Sequence, residues 1–252
     1  EYRQGSSFRI AAAHTDFPAL WIKPHPEFTT DGYQQLNVEV YGGAILNTWL
    51  DRPLSAAGRV AIRSGDLFRP TVRLIDVKRP IFIIPNLAIH LNKEVNKGVE
   101  LNRQTDMAPV AGLLNGNEDK DGFFLNLLAG ELQAGPKDIL DFELSLYNTE
   151  EGCYTGLSGE FLSAPRLDNL TSVQAVLSAI VRPGRKDGIN VAAFFDHEEI
   201  GSRTKQGAGS NLLNMLLEKI MLSLGGERGA FLGTMEDSLL LSVDVGHGLH
   251  PN

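Results

Sequence analysis

Two nearly unbroken apolar runs, Ile189 to Phe195 and Leu239 to Val243, each stop directly at acidic residues. A strand with apolar side chains at successive positions is apolar on both faces, and it needs both faces covered, as in a parallel sheet flanked by helices. The neighbouring segments supply those helices. Leu170, Val173, Val176, Leu177 and Ile180 recur on one helical face, and Leu213, Leu216, Leu217, Ile220 and Leu224 form a second stripe. Near the start, Phe8 to Ala13 is a third run, closed by His14, Thr15 and Asp16. Runs alternating with helical stripes predict an α/β fold with an open sheet flanked by helices.

The intervening stretch has a different texture. Leu36, Val38 and Val40, then Val60 and Ile62, alternate with period two among glycines, prolines and polar turns, which predicts β-strands. Residues 112–122, with Asn115, Gly116, Asn117 and a charged EDKD run, read as an exposed loop. The expected organisation is a split α/β domain, residues 1–17 plus 153–252, interrupted by a β-rich insertion at 18–152.

Composition excludes several functions. A formal charge of -8 without any block of Lys and Arg gives no electrostatic footprint for nucleic acid or an anionic membrane. The apolar runs are strand-sized and fall short of the roughly 20 residues that a membrane helix requires. The single Cys153 rules out an internal disulfide framework and a thiolate-only zinc site, and it suits a reducing compartment, so the cytoplasm is the expected location. Glu1 opens the chain without a secretory signal pattern, and strand candidates lie close to both ends, as in an interior piece of a longer protein.

The chemistry concentrates where the runs end. Glu198 and Glu199, in DHEEIGS, are adjacent carboxylates that repel each other unless cations or protons divide their roles. His14 and Asp16 are two apart at another strand end, where a carboxylate can fix the tautomer of a ligating histidine. Asp244 follows the Leu239 to Val243 run, and Asp168 precedes the first helical stripe, where capping the helix is its ordinary role. Each residue alone reads as a surface turn or a cap. Together they fit the rule that open α/β sheets bind ligands beyond the carboxyl ends of their strands. One His and several carboxylates, with no thiolate, suit Zn²⁺ or a similar divalent ion, and a carboxylate can bridge two such ions roughly 3.5–4 Å apart.

The segments HTDFP, GYQQLNVEVYGG, TWLDRPLSAAGRV, RLDNL, DHEEIGS, QGAGS and SVDVGHGLHPN, in this order, closely resemble the aspartyl aminopeptidases, dinuclear zinc exopeptidases. The resemblance runs over essentially the whole chain. It implies a zinc-exopeptidase-like sheet with an inserted β-rich oligomerisation domain, and two Zn²⁺ per subunit. By it His14 and Asp244 hold one zinc, Glu199 serves the other, and Asp168 bridges them through a residue whose following peptide is usually cis. Glu198 is then the general base for a two-zinc-activated water, and Asp16 orients His14. The implied substrates are peptides with an N-terminal Asp or Glu, and the implied assembly is a homo-oligomer, a tetrahedral dodecamer built from dimers. His90, in PNLAIHLNKEVN, would reach a neighbouring subunit's active site. His197, His247 and His250 read as structural or supporting positions, and His25 as a loop residue.

The family places a further His ligand and the residues that recognise an acidic side chain beyond the position matching Asn252, so weak or absent activity is expected of these 252 residues alone. Two rival readings stay open: a dinuclear aminopeptidase of different specificity, and an inactive assembly subunit.

Overall fold

A computed structural model describes residues 7–114, 121–182 and 187–251. Its elements, in chain order, are β1 (Phe8–His14), β2 (Ala19–Thr30), β3 (Tyr33–Tyr41), β4 (Leu54–Ile62), β5 (Thr71–Asp76), β6 (Val110–Leu113), α1 (Phe123–Leu132), β7 (Ile139–Asn148), β8 (Cys153–Thr155), β9 (Phe161–Ser163), α2 (Leu167–Ile180), β10 (Ile189–Phe195), α3 (Leu212–Ser223), α4 (Arg228–Glu236) and β11 (Leu239–Ser242). The chain divides into two compact units, one made of residues 1–17 and 164–252 and the other of 18–163. The hairpin β8–β9 therefore groups with the second unit, although its sequence follows the expected end of the insertion.

In the first unit β1 is the centre of a three-stranded parallel sheet, with β10 on one side and β11 on the other. Phe8, Ile10 and Ala12 of β1 join Ala193 of β10, Leu217 and Met221 of α3 and Phe231 of α4 in one buried cluster. Covering on one sheet face thus comes from the second helical stripe and the helix after it. The expectation of fully buried strands holds poorly at β11. Leu239, Leu240 and Leu241 are 60%, 49% and 61% exposed, whereas β10, the other edge strand, keeps Ala193 buried, so it is the cover on the sheet faces and not edge position that differs. The helical stripes are also half covered, with Val176 and Leu217 buried but Leu177 and Leu216 exposed.

The second unit is a six-stranded antiparallel sheet in the order β5-β4-β7-β2-β3-β6. Its alternating residues Leu36, Val38, Val40, Val60 and Ile62 all face the core, where Phe124, Leu128 and Leu132 of α1 close over them. In β2 the pairing with β3 shifts register between Ile22 and Glu27, across Pro24, His25 and Pro26. A proline cannot donate to the ladder, so this stretch bulges, and His25 takes a positive φ there. Beyond the bulge, the Glu27 carboxylate accepts the backbone N–H groups of Gly122, Phe124 and Leu125, so a strand residue caps α1 in place of a local cap. Of the loop expected at 112–122, residues 115–120 lie outside the described residues.

Among the described residues no helix is long and apolar enough to cross a membrane.

Candidate metal centre

Backbone hydrogen bonds hold the three parallel strand ends level. Thr15 donates its N–H to the Phe195 carbonyl at 2.8 Å, and Val243 donates to the Ala12 carbonyl at 2.8 Å. Ala12 pairs in register with Ser242, so His14 and Asp244 each lie two residues past that pair, and His14 itself pairs with Phe195. Glu198 and Glu199 follow β10 in a single 3-10 turn, Glu198–Ile200. Asp168 sits where α2 begins, in a non-helical conformation (φ -82°, ψ 112°), and the Asp168–Asn169 peptide is cis.

These placements bring three predicted carboxylates around one nitrogen of His14. His14 Nε2 lies 3.4 Å from Asp168 Oδ1, 3.7 Å from Glu198 Oε2 and 3.6 Å from Asp244 Oδ1. The His14 side chain is 4% exposed, whereas the three carboxylates are about half exposed and open to solvent. A tetrahedral ion with ligand bonds of 2.0–2.1 Å leaves its ligand atoms about 3.4 Å apart, close to the distances from His14 Nε2 to these carboxylates. Ligand atoms of His14, Glu198 and Asp244 all fall within 4.8 Å of one another. Without a cation these carboxylates would repel, so His14, Glu198 and Asp244 fit a divalent metal on geometry and on charge, while Asp168 approaches His14 from outside that group.

Protonation follows the same crowding. Burial alone would lower the pKa of His14, but the Asp16 carbonyl and the charges of Glu198, Asp16 and Asp244 outweigh it and hold the ring above its ordinary value. Burial raises the Glu199 carboxyl above its ordinary value, and the charges of Glu198, Asp168 and Asp16 push it further against the pull of His14.

The expected contact between Asp16 and His14 takes an unexpected form. The ring Nδ1 makes its hydrogen bond to the backbone carbonyl of Asp16, at 3.0 Å, and the Asp16 carboxylate stands farther off, at 3.4 Å. That carboxylate instead accepts the backbone N–H groups of Glu198 and Glu199, each at 3.1 Å. It therefore anchors the turn that presents both glutamates.

His197 takes a supporting position in the same turn. Its ring Nδ1 shares a 2.7 Å hydrogen bond with Thr204 Oγ1, and its carbonyl accepts from Ser202 N. The chain then folds back over Ser202. A Cβ on Gly207 would stand 2.3 Å from the Ser202 carbonyl oxygen, so only glycine admits this approach. Sequence reading passed over Thr204 and met Asn169 only as the residue after the expected cis peptide; the side-chain contacts of both join segments that carry no shared pattern. His90 lies in the β-rich unit, exposed on a turn closed by Leu91 N and the Ala88 carbonyl. His247 and His250 are exposed beyond β11, and neither belongs to the cluster around His14.

A family model described as aminopeptidase I zinc metalloprotease (M18) matches residues 1–252. A probable M18 family aminopeptidase 2 of Clostridium novyi is 47% identical over 246 residues, covering 97% of this chain and 57% of that protein. Among solved structures, a chain from the cryo-EM structure of the Ape4 and Nbr1 complex superposes with a TM-score of 0.89 at 37% identity, over 99% of this chain and 51% of that one. Chaetomium thermophilum mApe1 gives 0.85 at 33% identity, over 100% and 61%. The S. cerevisiae mApe1 dodecamer gives 0.75 at 24% identity, over 99% and 57%, a likeness of fold. The chain spans little more than half the length of these proteins.

Proposed function

The chain belongs to the aminopeptidase I zinc metalloprotease family, M18, and from that membership we propose that it carries the metal centre of an aminopeptidase that removes N-terminal residues, preferably Asp or Glu, from peptides. The observation that carries this reading is the ring of three carboxylate oxygens 3.4–3.7 Å from His14 Nε2 at the carboxyl end of a parallel sheet. His14 and Asp244 would hold one zinc, Glu199 a second, and Asp168 both. Bound zinc supplies Lewis acidity, which polarises a scissile carbonyl and makes an attacking water more acidic. Glu198 takes the proton from that water and returns it to the leaving amine, so no covalent intermediate is required.

The preference for acidic residues rests on the motifs shared with the aspartyl aminopeptidases. The homo-oligomer rests on an analogy, since one structural neighbour is a dodecamer. In this reading the β-rich unit makes the subunit contacts and His90 reaches a neighbouring active site. Leu87, Ile89 and Leu91 around it are 57%, 51% and 75% exposed, which suits a turn that another surface covers. The absence of a basic patch and the lone Cys153 keep a cytoplasmic peptide hydrolase as the proposed setting.

The test is metal content together with turnover of Asp-, Glu-, Leu- and Ala-derived substrates by the full-length protein. Two zinc ions per subunit and fastest release of acidic residues are expected, with Glu198→Gln keeping zinc and losing turnover. Zinc-free, inactive protein would leave the assembly-subunit reading, and fastest release of Leu or Ala would leave an aminopeptidase of another specificity.

A further inference from the structure

We propose that Asn169 is a positioning residue that fixes the spacing of Asp168 and Asp244; the inference rests on the metal-centre reading. Asn169 is 1% exposed, and its side-chain Nδ2 donates to the Val243 carbonyl at 3.0 Å. The bond thus joins the residue after one candidate ligand to the residue before another, 74 positions away.

Three observations make this tie more than packing. First, Asn169 Oδ1 is buried without a hydrogen-bond partner among the described residues. A buried acceptor left unpaired costs stability, so asparagine is not the residue that burial alone would favour there. Its donor is what the position uses. Second, Asp168 and Asn169 both depart from helical φ and ψ, so the regular hydrogen bonds of α2 do not fix the Asp168 side chain. Third, Asp168 and Asp244 are 61% and 55% exposed, so packing holds less than half of either side chain. Two such carboxylates drift apart by repulsion when no cation lies between them. On the far side, Val243 is already fixed to the central strand through Ala12. The Asn169 tie extends that fixed frame to the start of α2.

The experiment compares zinc affinity, by chelator competition, in the full-length protein and in its Asn169→Ala, Asn169→Asp and Val176→Ala variants. Asn169→Asp keeps the volume and loses the donor; Val176→Ala loosens the buried side of the same helix without touching the tie. Both Asn169 variants should bind zinc roughly 10- to 100-fold more weakly, the usual loss when a partner behind a metal ligand is removed. Val176→Ala should lower the melting temperature and leave zinc affinity unchanged. Unaltered affinity in the Asn169 variants, or an equal loss in Val176→Ala, overturns the proposal. Hydrogen exchange at Val243 to Val245 in the metal-free proteins separates this from the metal-centre reading. If the parent protein takes up no zinc, that reading falls, and exchange decides the tie: faster in the Asn169 variants upholds it, unchanged overturns it.

Discussion

The Asp16 carboxylate grips the backbone N–H of Glu199 across 183 positions of sequence, and its other oxygen grips that of Glu198. His14 is served by the backbone carbonyl of Asp16, which any residue at that position would provide. The side chain of Asp16 is therefore chiefly an anchor for the glutamate turn.

Replacing Asp16 with Asn should separate these two duties. The amide can accept one of the two N–H groups and must turn an NH₂ towards the other. We expect turnover to fall roughly 10- to 100-fold, the range for lost supporting contacts, while the zinc proposed for His14 and Asp244 remains. Steady-state kinetics with metal analysis checks this; loss of that zinc at unchanged turnover per loaded site would return Asp16 to the role of ring orienter.

Gly207→Ala should disturb the same turn from behind. The added Cβ would meet the Ser202 carbonyl oxygen, a backbone atom that cannot step aside without moving His197 and Glu198. Destabilisation of about 1–3 kcal/mol is expected, with a parallel loss of activity; thermal melts and turnover rates read both.

The metal-free protein should lose stability as pH rises. His14 and Glu199 both have pKa values raised in the folded state, from 6.5 and 4.5. A group whose folded pKa is raised contributes stability that is fully present below its unfolded pKa and is lost as pH climbs through the folded value. The Glu199 contribution therefore fades above 4.5 and that of His14 above 6.5. Zinc should reverse the slope, because it binds the deprotonated groups. Melting temperatures in chelator and in zinc, at mildly acidic and mildly alkaline pH, measure the sign. A metal-free protein more stable at the alkaline end would contradict the assignment.

Glu27→Ala should weaken the β-rich unit without touching the metal centre. It removes the one acceptor shared by three N–H groups at the start of α1. A loss of about 1–2 kcal/mol is expected from the missing cap and its charge. Urea denaturation of the full-length protein, with zinc content unchanged, checks it.

The elements that sequence revealed best were those whose pattern is local. Leu36, Val38 and Val40 alternate because one face of their strand meets α1, and that periodicity is visible without any partner. The runs before Glu198 and Asp244 likewise marked strand ends, and the residues at those ends do gather around His14. The apolar run of β11 misled on burial, since a strand's composition does not reveal which of its faces other elements cover. Asp168 read as a cap, yet α2 begins without a side-chain capping bond.

The sequence by itself determined the two textures, the strand ends that carry acidic residues, and, through its ordered motifs, the family. Only the tertiary structure decided that Asp16 holds the Glu198–Glu199 turn, that Asn169 ties Asp168 to Val243, and that Glu27 caps a distant helix. The physical reason is one of range. Periodicity is written by the geometry of a few consecutive residues, whereas each of these hydrogen bonds joins segments tens to hundreds of positions apart and exists only once the strands have settled into register.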